Sequence, residues 1–134
     1  MIDKNLQILG IARKAGLLAI GSEAVATAVR TGNAKLVLST TDTSDGSLRR
    51  ARFGAKAGGA IHAAIPYTKF ELGQIVGRGP TGTIAILDAG LSAKFMRGLA
   101  EAEPGRYDDA VELLDSEQHI LSRKRKRAPR RTAK

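Results

Sequence analysis

The sequence predicts an α/β protein: a three-layer α-β-α sandwich with a mainly parallel four-stranded sheet, followed by a basic C-terminal tail. Three observations predict it. The short apolar runs Leu36–Ser39, Ile61–Ile65 and Thr83–Leu87 suit strands buried on both faces. Longer segments between them carry apolar residues at helical spacing. Glycine, proline and cap-forming residues punctuate the junctions. Strands alternating with helices imply a parallel sheet with both faces covered. Residues 1–104 form the sandwich domain, and residues 105–134 an acidic connector and a basic tail.

Asp3 is placed to cap a first helix over about 4–15, with Leu6, Ile8, Leu9 and Ala12 on its buried side. Gly16 stops it, and Leu17 to Ile20 form a small edge strand or extended link. The stretch from Gly21 to Leu38 is a complete loop, helix, turn and strand. Ser22 is expected to cap the second helix, Val25, Ala28 and Val29 form its apolar stripe, and Gly32 ends it. A capped helix start opened by a glycine offers N–H donors and a positive dipole end, which suits a phosphate.

The polar loop from Thr40 to Asp45 leads to a third helix over about 46–57. Leu48, Ala51 and Ala55 are expected to face the sheet. Arg49, Arg52 and Lys56 repeat on another face with Arg50 beside them, as a solvated surface or a set of RNA phosphate contacts. Gly58-Gly59 ends this helix, and Pro66 stops the strand that follows. Thr68 and Glu71 form a capping box at the start of a short helix to Val76. Gly77 to Gly82 is a tight exposed turn before the last strand. A final helix over 91–102 carries Leu91, Phe95 and Leu99 on its inner side, and Pro104-Gly105 closes the domain. The segment beyond mixes Ala110, Val111, Leu113 and Leu114 with acids, so it is a weakly specified helix. Residues 122–134 have almost nothing to bury, so disorder is expected when they are free.

Charge narrows the function classes. The chain of 134 residues has a net charge of +9. That sum splits into +7 over residues 1–100, −6 over 101–122 and eight cations without an acid over 123–134. A basic body with a basic tail favours nucleic acid. The absence of cysteine excludes disulfides and thiolate metal sites. Nothing resembles a signal peptide or a span of about 20 apolar residues, so a cytoplasmic protein without a membrane partner is expected.

Catalytic chemistry is hard to assemble. Gly77, Gly79 and Gly82 match a dinucleotide fingerprint literally, but that motif needs a strand before it and a helix after it, and here the order is reversed. Asp42 and Asp88 each follow a strand, where a pair of carboxylates would suit Mg²⁺ in a phosphoryl enzyme. Capping of the next helices is the simpler role for both. His62 lies in an apolar strand with no evident acid or nucleophile beside it. No nucleophile, base and orienter come together, so neither an enzyme nor a cofactor is expected. Aromatic residues are too few for a base-stacking sheet.

Several spaced blocks share one order with a known family. They are Ile8 to Gly16, Gly21-Ser22-Glu23, Ala28 to Leu38, Ile65-Pro66-Tyr67, Glu71-Leu72-Gly73 and Val76-Gly77. Together they resemble the ribosomal protein "L seven Ae" and "L thirty e" superfamily, closest to its bacterial YlxQ-type branch, over about residues 4–102. The resemblance implies a non-enzymatic α-β-α sandwich that binds structured RNA, above all kink-turns, in a ribosomal or translational setting. It places the RNA surface at the start of the second helix and at the loop before the last strand. On this chain those are Gly21, Ser22, Glu23 and Thr27, then Arg78, Gly79, Pro80 and Thr81, with Arg13, Lys14 and Arg30 as phosphate contacts. Strong kink-turn binders carry Asn-Glu or Lys-Gln where this chain has Glu23-Ala24, and a lysine where it has Thr27. An anion near phosphate is unfavourable, and an alanine reads no guanine edge. The alternative is a protein-interaction module of the same fold that has lost specific RNA reading. The oligomeric state and the identity of the RNA stay open.

Overall fold

The computed structural model describes residues 4–116. Asp3 and the basic segment 123–134, both given roles above, lie outside the described residues. The elements are α1 (Lys4–Lys14), β1 (Leu18–Ile20), α2 (Ser22–Arg30), β2 (Leu36–Ser39), α3 (Asp45–Ala57), β3 (Ile61–Ala64), α4 (Lys69–Val76), β4 (Thr83–Ile86) and α5 (Ala89–Ala102). A sixth helical stretch starts at residue 108 and continues to 116.

The strand order is β1-β4-β2-β3. Strands β2 and β3 pair in parallel, whereas β4 runs antiparallel to both β1 and β2. The sheet is therefore mixed, which corrects the expectation of a mainly parallel one. The cause is the connection into β4. Arg78 N donates to Gly73 O at 3.0 Å and Thr81 N donates to Lys69 O at 3.1 Å. The 77–82 loop thus doubles back along α4 instead of crossing over the sheet. Gly77, left-handed at φ 72, makes the reversal at the end of α4. At about 1.5 Å per helical residue, the climb along α4 is roughly 12 Å, within reach of such a loop. Strand β4 starts at the edge where α4 starts, and it must run the other way.

Alternation along the strands divides the core. Leu36, Leu38, Ile84 and Ile86 join Leu9, Leu72, Phe95, Met96 and Leu99 on the face covered by α1, α4 and α5. Val37 and Ala85 turn to the other face, against Val25, Ala28, Val29 and Ala55 of α2 and α3. The second layer is built from small side chains. Gly58 lies so close to Val29 that a Cβ there would clash with its side chain.

Helix starts follow sequence chemistry with two differences. The Thr68–Glu71 capping box forms on α4, and Asp88 caps α5 by accepting from Leu91 N at 2.8 Å. The cap of α3 is Ser44, which accepts from Ser47 N, while Asp42 reaches across to accept from Lys69 N of α4 at 2.9 Å. The cap of α2 is Gly21 and not Ser22, and no side chain bonds there. Gly21 already extends from β1 in a backbone geometry that begins the helix one residue earlier.

Packing continues beyond residue 104. Tyr107 and Leu114 belong to the main core, and the Tyr107 hydroxyl donates to Ala64 O at 2.8 Å. Arg97 of α5 pairs with Asp115 at 2.7 Å.

Candidate functional site

Strands β1, β2 and β3 all run towards one edge of the sheet, because β4 opposes both of its neighbours. Each is followed by a helix, so α2, α3 and α4 all begin at that edge. The loop before β4 returns there as well. The result is a cleft of about 500 Å³ lined by Gly21, Ser22, Thr43, Ser47, Lys69 and the segment from Arg78 to Thr83. Ser22 is the first residue of α2 and Lys69 the first of α4, and Ser47 lies in the first turn of α3. Helix starts carry positive partial charge. Side chains of Ser44, Asp42 and Thr68 already accept from first-turn N–H groups of α3 and α4, so the start without a side-chain cap is that of α2. Lys69 and Arg78 form no ion pair among the described residues.

Both walls are fixed by backbone bonds. Gly21 N donates to Thr83 O at 3.0 Å and Thr81 N to Lys69 O at 3.1 Å. Within the loop, Thr81 Oγ1 donates to Gly79 O at 2.8 Å, and Thr43 Oγ1 donates to Gly82 O at 3.3 Å. A Cβ on Gly73 would lie 2.5 Å from Gly79 O, so the loop rests against bare α4 backbone.

The cleft gathers Gly21, Ser22, Arg78, Gly79, Pro80 and Thr81 of the sequence-predicted residues. It does not gather the others. Arg13 stacks its guanidinium over Gly77 at the foot of the loop, and Lys14 follows it at the end of α1, with β1 between them and Ser22. Thr27 lies on an exposed side of α2, where its hydroxyl accepts from Arg30 Nη2 at 3.4 Å. Glu23 and Arg30 line a separate groove between α2 and α3. Lys69, Thr43 and Ser47 line the cleft without having been expected there. Lys69 reads in sequence as a capping-box residue, and only the return of the loop along α4 brings it beside Gly82. A lysine at a helix start, against the dipole, is the signal that the sequence offers.

The structure places beside His62 a hydroxyl not evident from the sequence: Ser39 Oγ lies 2.9 Å from Nε2 but is fully buried, and no carboxylate bonds the imidazole among the described residues. Asp42 and Asp88 are each held by a helix-start N–H. No group of three or more His, Asp or Glu suited to a metal occurs among the described residues. No helix among them is long and apolar enough to cross a membrane.

The fold and the cleft define a class of protein: an α/β sandwich with a cleft where three helices begin. No protein-family model and no curated protein matches the chain. Among solved structures it is similar to one described as a protein with unknown function from Bacillus halodurans C, at 26% identity and a TM-score of 0.66. That match covers 72% of this chain and 96% of the other.

Proposed function

We propose that the protein binds structured RNA through this cleft, without catalysis, in a ribosomal or translational role. One observation carries the reading. The uncapped start of α2 faces the Arg78–Thr83 loop across a cleft that also holds Lys69. Phosphate oxygens would meet N–H donors, hydroxyls and two cations, Lys69 and Arg78, in one rigid setting. The basic balance of residues 1–100 supports the same partner, as does the resemblance to kink-turn binders. A kink-turn, with its sharply bent backbone, is the RNA proposed.

The test compares a kink-turn RNA with a plain duplex of equal length at several salt concentrations. The wild type should favour the kink-turn. Combining Lys69→Ala with Arg78→Ala should weaken it by about 1.5–3 kcal/mol per lost charged contact and flatten the salt slope. Equal binding of the two RNAs, or an unaffected double variant, would overturn the reading and favour a protein-interaction module.

A further inference from the structure

The basic stripe of α3 is not absorbed by the cleft. Arg49, Arg50, Arg52 and Lys56 are all exposed, and none forms an ion pair among the described residues. The acid of α3 is Asp45, in the first turn, where it complements the helix dipole. This face therefore lacks the alternating acid–base pairs of an ordinary solvated helix. Phe53 stands among these cations with 63% of its surface exposed. Packing does not require it there, because α3 meets the sheet through Ala55 and, partly, Ala51.

A groove of about 710 Å³ runs beside this face between α2 and α3. Val25, Val29, Ala51 and Ala55 give it an apolar floor, and Arg30 and Arg50 stand on its two walls. Phe53 does not line it, but Arg50 and Ala57, a turn before and after Phe53 on the same side of α3, both do, which sets the ring just outside the groove. Ser22, Ser47 and Thr83 line both this groove and the cleft. The two depressions adjoin along this shared wall.

We infer that the groove and the α3 face hold a second segment of the same RNA, a single strand leaving the cleft. Arg30 and Arg50 contact its phosphates, and a base stacks on Phe53. The inference rests on the RNA reading of the cleft. Charge selects this occupant: two cations, Arg30 and Arg50, line the groove against one carboxylate, Glu23, and Arg49, Arg52 and Lys56 add positive charge on the adjoining face of α3. An apolar floor with phosphate contacts and one stacking ring suits a strand held with little regard to sequence.

The full chain is tested with two RNAs: a blunt kink-turn, and the same kink-turn with a single-stranded extension of about ten nucleotides. Wild type should bind the extended RNA at least tenfold more tightly, with a salt slope steeper by about 0.7 per added phosphate contact. The combined Arg50→Ala and Phe53→Ser variant should keep blunt-RNA affinity within about twofold and lose most of the extension's advantage. Ultraviolet crosslinking of the extended complex should label the α3 peptide at Phe53. If wild type binds both RNAs alike, or the variant keeps the advantage, this inference falls while the cleft reading stands. If wild type binds neither RNA, both fall. If an acidic helical peptide occupies the groove instead, and the extension adds nothing, the face is a protein site and the inference is overturned.

Discussion

The Gly21 amide donates to the Thr83 carbonyl at 3.0 Å, tying the cap of α2 to the first residue of β4. That bond sets the cleft's two walls against each other. Gly21 makes it at φ 93 and ψ 158, a region open almost only to glycine. A Cβ there would stand in open space, so the cost of a side chain is purely conformational. Gly21→Ala should lower unfolding stability by roughly 1–3 kcal/mol in urea titrations and also weaken RNA binding. Gly16→Ala, at φ 73 outside the cleft, should destabilise without touching RNA affinity. Equal losses of affinity in the two variants would show that Gly21 does not aim the helix.

Helical glycines should respond with opposite signs. A Cβ on Gly54 of α3 meets nothing within 4 Å, so Gly54→Ala should stabilise by up to about 1 kcal/mol. A Cβ on Gly73 of α4 would press on the Gly79 carbonyl at 2.5 Å and the Arg78 carbonyl at 3.0 Å. Backbone cannot turn aside as a flexible side chain can, so the loop must shift. Gly73→Ala should cost about 1–3 kcal/mol and displace Arg78 from the cleft. Amide exchange would report it as lost protection at Arg78 and Thr81, whose N–H groups bond α4. Unchanged protection there would refute the positioning role.

The same loop marks the limit of what the sequence discloses. Element identities follow from local patterns such as the Val25, Ala28 and Val29 stripe and the Thr68–Glu71 box. The direction of β4 does not, because a helix followed by a strand looks the same whether the chain crosses over or retraces. The bonds that decide it, Arg78 to Gly73 and Thr81 to Lys69, are tertiary. Local pattern gives Asp42 to the next helix, whereas the bond it makes, to Lys69, spans a long sequence separation. Gly21, Ser22 and the 78–81 loop are legible as neighbours, since both adjoin edge-forming turns. Arg13, Lys14 and Thr27 group with them by sign and by proximity in sequence, but the length of β1 and the turn of α2 carry them away.

Stability should depend on pH through His62. Burial holds its imidazole below the ordinary value of 6.5, and the charge of Arg52 adds to the effect. The unfolded chain therefore takes up the proton first as pH falls. The contribution is complete above about pH 6.5 and is lost progressively below it, down to the depressed folded value. Urea midpoints should drop as pH falls below about 6.5, before carboxylates begin to titrate. His62→Asn can keep a bond to Ser39 Oγ and should flatten that drop. Arg52→Ala should reduce it. A drop that persists unchanged in His62→Asn would place the titrating group elsewhere.

Glu23 should act on stability and on RNA in opposite directions. It lies in the first turn of α2, where a carboxylate favours the helix dipole by a few tenths of a kcal/mol when exposed. It also lines the α2–α3 groove, next to Ser22 of the cleft, so on the RNA reading it lies near the phosphates. Glu23→Gln removes the charge and little else. Thermal unfolding should shift slightly down, while affinity for the kink-turn RNA rises, most strongly at low salt where repulsion is least screened. Converting Glu23 to Asn, Ala24 to Glu and Thr27 to Lys together imposes the residue pattern of strong kink-turn binders. Each new hydrogen bond to RNA should be worth on the order of 1 kcal/mol, so the triple variant should bind the kink-turn well over tenfold more tightly. The incoming lysine replaces the Thr27 hydroxyl that now receives Arg30, which frees that guanidinium for phosphate. A triple variant that binds the kink-turn no better than a plain duplex would move the RNA away from the start of α2. A Glu23→Gln variant with lower affinity would mean that this carboxylate accepts from the ligand instead of repelling it.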